Sequence, residues 1–320
     1  SEFSLIDRYF AARTPRRPDV VLGIGDDCAL LRPPPDQELA ITLDTLVADV
    51  HFFADAAPEG IGHKALAVNL SDLASMGAIP AWATLALTLP RADEDWLERF
   101  CRGLFALADR HDVQLIGGDT THGPTTVITL QAHGFVPPGA ALRRDGARPG
   151  DNIYVTGTPG DAGLALAAAY GKTTVPAEHR DYLQTRLDRP EPRIAQGASL
   201  RGIASAAIDI SDGLAQDLGH ILERSGGGAL LEIDRLPLSP ALTAHPDRDA
   251  ATILALAGGD DYELCFTVPP ERLTQLVTAT ATWDCRCTRI GVITAEPGLR
   301  LVRQDRSIFQ LERSGYDHFG

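Results

Sequence analysis

Five times along this chain a β-rich stretch runs into aspartates, most of them beside glycine: Gly23-Ile24-Gly25-Asp26-Asp27, Leu43-Asp44-Thr45, Gly117-Gly118-Asp119-Thr120, Asp209-Ile210-Ser211-Asp212-Gly213 and Gly258-Gly259-Asp260-Asp261. A sixth aspartate, Asp72 in Asn69-Leu70-Ser71-Asp72, lies in a helical stretch between Leu70 and Leu73. Any one of these segments reads as a solvated turn, because Asp and Gly are turn residues. Together they constrain the fold more. Carboxylates at strand ends are rigidly placed and can converge on hard cations. Such ions take carboxylate oxygens and keep water and phosphates as further ligands. Neighbouring glycines let backbone N–H groups approach phosphate oxygens.

The stretches between these segments alternate in character. Leu39 to Leu43 reads as a strand ending at Asp44, and Gly60 to Met76 as a helix stopped by Gly77. Trp82 to Leu89 alternates as a strand does, and Asp93 to His111 has an amphipathic helical spacing. Val113 to Ile116 and Thr125 to Val136 read as strands. Pro137-Pro138-Gly139 then marks a boundary, giving domains 1–137 and 138–320. Beyond it, Asn152–Thr156, Ala206–Ile210, Ala229–Ile233, Leu264–Val268 and Ile290–Ile293 read as strands, with helices at Ala162–Tyr170 and Leu214–Ser225. The fold class is α/β (α+β) in two mixed domains.

Charge limits what such a chain can bind. With a formal net charge of -14 over 320 residues, it repels the backbone of nucleic acids. It repels ATP too, unless cations intervene. The usual phosphate loops are absent. Gly171-Lys172-Thr173 resembles the end of a P-loop, but the required glycine is Leu166. Gly23-x-Gly25 resembles a dinucleotide fingerprint, but its third glycine is Cys28. Phosphate recognition therefore falls to aspartates acting through metal ions. The five cysteines, with irregular spacing, are expected to be buried or partly buried thiols in a reducing cytoplasm. There is no recognisable signal peptide and no apolar run of about 18 residues, so no membrane span is expected.

In order and number these motifs resemble the thiamine-monophosphate kinases, within the aminoimidazole-ribonucleotide-synthetase-like superfamily. The matching segments are Ser1 to Ile6, GIGDDCALL from Gly23, LDTLV from Leu43, KALAVNLSDLASMGA from Lys64, LIGGDTT from Leu115, GFVPPG from Gly134, YVTGTPGD from Tyr154, IDISDGL from Ile208, GGDDYELCF from Gly258 and GYDHF from Gly315. The resemblance implies phosphorylation of thiamine monophosphate by ATP with several Mg²⁺ ions. It also implies a homodimer whose N-terminal domains pair into a β-barrel, with the nucleotide in a cleft beside the C-terminal domain. Asp27, Thr42, Leu43 (through its carbonyl), Asp44, Asp72, Asp119, Asp209 and Asp212 would hold metal. Gly118, Asp119, Arg144 and Ser211 would contact ATP, and His51, Asp260 and Tyr316 the thiamine phosphate. The family more often has Glu at Asp260, one methylene longer. No role follows for Asp26 or Asp261, and no general base is expected. The rivals are another ATP-dependent enzyme of the superfamily, such as a selenophosphate or aminoimidazole-ribonucleotide synthetase, and a non-catalytic nucleotide or thiamine-phosphate binding protein. No cysteine precedes Asp27, which argues against the selenophosphate enzyme.

Overall fold

A computed structural model of the chain describes residues 6–11 and 17–316. The matching segment Ser1 to Ile6, except for Ile6, and Asp317 to Phe319 of the last motif lie outside the described residues. The chain forms two compact units, Ser1–Leu73 with Ala78–Gly139, and Ala74–Gly77 with Ala140–Gly320.

In the first unit, β1 (Val20–Leu22) and β2 (Leu30–Leu31) make a small antiparallel ribbon. Four longer strands follow: β3 (Glu38–Val47), β4 (Ile79–Leu89), β5 (Gln114–His122) and β6 (Val127–Val136). They form an open sheet in the order β3-β6-β4-β5, antiparallel except for β4 with β5. Among the described residues, two α-helices accompany it, α1 (Pro58–Ser75) and α2 (Glu94–Arg110). Helix α1 is apolar on more than one side, and Leu66, Leu70 and Leu73 are all at most 1% exposed. Helix α2 is amphipathic and starts where the Asp93 carboxylate accepts the Trp96 N–H at 3.1 Å.

Two strands run further than the sequence suggests. Strand β3 does not stop at Asp44, because Leu46 and Val47 still pair with Ile128 and Val127 of β6. Strand β5 does not stop at Ile116, because Gly117 to His122 pair with Thr84 to Leu89 of β4. Asp44 and Asp119 thus sit within strands and not in turns. Gly118 permits the second pairing, since a Cβ there would stand 1.9 Å from the Leu85 carbonyl oxygen.

The second unit holds β7 (Asn152–Thr156), β8 (Ala206–Asp209), β9 (Gly228–Glu232), β10 (Leu264–Val268), β11 (Cys287–Thr294) and β12 (Gly298–Val302), ordered β12-β9-β11-β7-β10-β8. All neighbours are antiparallel except β12 with β9. Its helices are α3 (Asp161–Ala169), α4 (Ala177–Asp188), α5 (Ile194–Ser199), α6 (Leu214–Ser225), α7 (Pro240–Thr243), α8 (Arg248–Ala257) and α9 (Leu273–Thr280). The core packs Ile153, Val155 and Ile208 of the sheet against Leu218 and Ile221 of α6 and Leu256 of α8. Cys101 and Cys265 are buried and Cys285 and Cys287 half-buried, but Cys28 is exposed, against expectation, in the turn before β2. No helix among the described residues is long and apolar enough to cross a membrane.

Candidate active site

Each unit carries part of the expected site. In the first, Thr42 and Asp44 are two residues apart on β3, so their side chains share a face. The Thr42 hydroxyl donates to the Asp72 carboxylate, which α1 presents. Asp44 lies close enough to Asp72 to feel its charge. Burial, and then that repulsion, push the Asp44 carboxyl up to about 7. Leu43 takes the opposite face and is 54% exposed, so only its carbonyl can serve a cation. His51 is half-buried just after β3 and accepts the Val47 N–H at Nδ1, 3.0 Å away. In the neutral ring this places the proton on Nε2. The buried Lys64 ammonium donates to the His51 carbonyl at 3.4 Å.

The remaining members of this half are more open. Asp119 is exposed on β5, one residue past Gly118. Asp27 is exposed in the Gly-rich turn, and its N–H donates to Asp26 Oδ1 at 2.9 Å. That bond gives Asp26 a turn-forming role the sequence left open. Among the described residues, no three His, Cys, Asp or Glu side chains are gathered closely enough to hold a metal ion. What is assembled is the Asp44–Asp72 pair with Thr42. Its all-oxygen donor set suits a hard cation such as Mg²⁺, and the repulsion between its carboxylates is what such an ion would relieve.

In the second unit β8 delivers Asp209, buried at 3% exposure, into the turn Ser211-Asp212-Gly213 that opens α6. One carboxylate oxygen of Asp217 accepts the N–H groups of Ser211, Asp212 and Gly213 at 3.0, 3.1 and 3.0 Å. Burial still pushes the Asp217 carboxyl up to about 7, against the pull of those N–H donors. The Gln216 amide donates to Asp212 Oδ2 at 3.1 Å and to the Tyr316 carbonyl at 3.0 Å. The Tyr316 N–H donates to the Asp212 carbonyl at 3.0 Å, and the Asp260 N–H to the Ser211 carbonyl at 2.7 Å. Ser211, Asp212, Asp260 and Tyr316 are therefore neighbours.

Arg144 is not among them. Its carbonyl accepts the Ser225 hydroxyl at the far end of α6. At about 1.5 Å per residue, the 12-residue helix separates that end from Ser211 by about 18 Å.

Asp217 and Gln216 escaped the sequence reading. The available signal was an acid in the first turn of a helix that begins at a glycine, a position suited to holding loop N–H groups. Asp217→Ala strands three N–H groups, so the unfolding midpoint is expected to fall by several degrees. A thermal melt checks this, and an unchanged midpoint would deny the carboxylate that role.

Comparison with known proteins gives this geometry a family. Residues 25–136 match the N-terminal domain of AIR synthase related proteins, and residues 148–304 match the C-terminal domain. The thiamine-monophosphate kinase of Salmonella typhimurium is 54% identical over 320 residues, spanning 99% of this chain and 98% of its own length. The chain belongs to the thiamine-monophosphate kinase family. The Haemophilus influenzae thiamine-monophosphate kinase is 46% identical over 322 residues, covering 99% of this chain and 98% of its own. The crystal structure of the thiamine-monophosphate kinase of Stenotrophomonas maltophilia superposes with a TM-score of 0.87 at 50% identity, over 94% of this chain and 96% of that one. A ThiL protein complexed with AMPPCP and TMP superposes with a TM-score of 0.78 at 31% identity, over 90% and 89% of the two chains. As a thiamine-monophosphate kinase family member, the chain is an enzyme, and the site residues above are to be weighed as parts of a phosphotransferase.

Proposed function

We propose that this chain transfers the terminal phosphoryl group of ATP directly to thiamine monophosphate, giving thiamine diphosphate, the last step in making that cofactor. The observation that carries the metal part of this reading is the Asp44–Asp72 pair, where burial, and then the repulsion of Asp72, raise the Asp44 carboxyl to about 7. The substrate part is supported by the names of the relatives and by the ThiL complex with AMPPCP and TMP.

Asp44, Asp72, Thr42 and the Leu43 carbonyl would hold Mg²⁺ in the first unit, with Asp27 and Asp119. Asp209 and Asp212 would do so in the second. Mg²⁺ bound there would screen the charges of the two phosphate groups from one another. The need is clear: at an effective dielectric near 20, two like unit charges 4 Å apart cost about 4 kcal/mol. Gly118 and Ser211 would meet ATP, together with Asp119 and Arg144. His51 can donate from Nε2 to the phosphate of thiamine monophosphate. Asp260 offers negative charge to its cationic ring, and Tyr316 a polar aromatic edge. The acceptor is already ionised at neutral pH, so no side chain need remove a proton. The residues of this chain position the two phosphates in line, and direct transfer follows.

Residues 1–137 would thus supply most metal and nucleotide contacts and the dimer face, and 138–320 would complete the site. The enzyme would work as a cytoplasmic homodimer. The exposed Leu39, Ile41 and Leu43 of β3 support a paired N-terminal sheet closing into a barrel.

An assay with ATP, with and without Mg²⁺, tests the reading. Thiamine diphosphate is expected from thiamine monophosphate, only with the metal, and no phosphoenzyme is expected when labelled ATP is given without acceptor. Phosphorylation of thiamine instead, or full turnover in a chelator, would overturn it.

A further inference from the structure

Two further acids, Asp261 and Glu263, closely follow Asp260 in the chain. Asp261 and Glu263 are 1% and 0% exposed, while Asp260 is half-buried. Both buried carboxylates are tied down within the second unit. Asp261 accepts the Gly160 N–H, at the start of α3, with both oxygens at 2.8 Å. Glu263 accepts two bonds from the Arg193 guanidinium, at 2.7 and 2.6 Å, and one from Arg186 at 2.9 Å. It also accepts the Thr156 hydroxyl of β7 at 2.7 Å.

The backbone over these anchors is strained. Asp260 has φ of 63° and Tyr262 φ of 52°, next to Gly259 at 67°. Non-glycine residues are disfavoured in this region and persist only where their surroundings dictate them. Here Asp261 and Glu263, one residue either side of Tyr262, pull the chain inward at alternate positions. The Tyr262 N–H then reaches the Ile210 carbonyl at 2.8 Å, and the Ile210 N–H the Glu263 carbonyl at 2.8 Å. The Asp260 N–H bond to Ser211 completes a lock between this loop and the Ser211–Gly213 turn.

We infer that the buried cluster of Asp261, bonded to the Gly160 N–H, and Glu263, paired with Arg186 and Arg193, is a positioning device that holds Asp260 in its left-handed conformation and so sets the affinity for the thiamine substrate. The inference rests on the proposed contact between Asp260 and thiamine monophosphate. None of the four cluster residues touches substrate in this scheme.

A double-mutant cycle tests it. Arg193→Lys keeps the charge and loses the paired bonds to Glu263. Alone, it is expected to raise KM for thiamine monophosphate about 10-fold, leaving KM for ATP and kcat within about 2-fold. Asp260→Ala is expected to raise the same KM, and adding Arg193→Lys to it should change nothing further, because the arginine acts through Asp260. Equal effects of Arg193→Lys in both backgrounds, a parallel rise in KM for ATP, or no effect at all would overturn the inference. If instead Asp260→Ala leaves KM unchanged, the substrate contact fails and the inference falls with it. Should Arg193→Lys not fold, Asp261→Ala, which leaves the Gly160 N–H without its acceptor, replaces it in the same cycle with the same expected pattern.

Discussion

Asp44→Asn is expected to cut kcat by at least about 100-fold while making the metal-free protein harder to melt. The two effects have one cause. In the folded chain burial and Asp72 raise the Asp44 carboxyl to about 7. The folded state therefore holds its proton more tightly than the unfolded state does. As pH rises from about 4, the unfolded chain ionises first, so metal-free stability falls until about pH 7 and then levels off. Asparagine has no charge to bury and no repulsion to bear. At pH 8 in a chelator, Asp44→Asn should melt about 2–4 °C above the wild type, and the pH slope should shrink. Adding Mg²⁺ should raise the midpoint of the wild type but scarcely that of the variant, because only the former binds the ion well. Melts at pH 5 and pH 8, with and without metal, together with initial rates, decide this. A near-normal rate, or a variant that melts below the wild type at pH 8 without metal, would remove Asp44 from the metal site.

The second large effect concerns association. Leu39, Ile41 and Leu43 alternate along one face of β3 and are 44%, 56% and 54% exposed. Strand β3 is an edge of the four-stranded sheet. A long edge strand with a bare apolar row invites pairing unless something covers it. Ile41→Glu puts a charge at the middle of that row, and in a two-fold dimer each interface receives the change twice. Light scattering should find the wild type dimeric and the variant monomeric, with association weakened at least about 100-fold. A wild type that is monomeric at micromolar concentration, or a variant that still pairs, would show that β3 does not make the interface.

Strands bounded by Gly or Pro were readable from their apolar runs, as were helices with a clear stripe. Asn152–Thr156, Leu264–Val268 and Leu214–Ser225 appear in the structure with the bounds expected. Helix α4 escaped notice because it buries only Leu183 and Leu187 among polar residues. Helices α8 and α9 and strand β12 were missed as well. Propensity alone puts Asp44 and Asp119 in turns, whereas pairing across the sheet overrides that local preference. In the site, the types and order of the aspartates were legible. The crowding of Asp44 against Asp72 was not, since a strand and a distant helix bring the two together. Nor could a sequence tell that Asp260 and Asp261, side by side, would part company, one half-buried and the other sealed in.

Asp217 has a consequence for how a phosphate can arrive at α6. The start of a helix carries a partial positive charge and loop N–H groups that commonly capture an anion directly. Here the chain has filled that place with its own carboxylate, bonded to all three N–H groups of the Ser211–Gly213 turn. The dipole is answered from inside, and the turn adds the half-buried Asp212 beside the buried Asp209. On the proposed function, a bare triphosphate would find little to attract it there, so the end of this helix would distinguish a nucleotide that brings its counter-ions from one that does not.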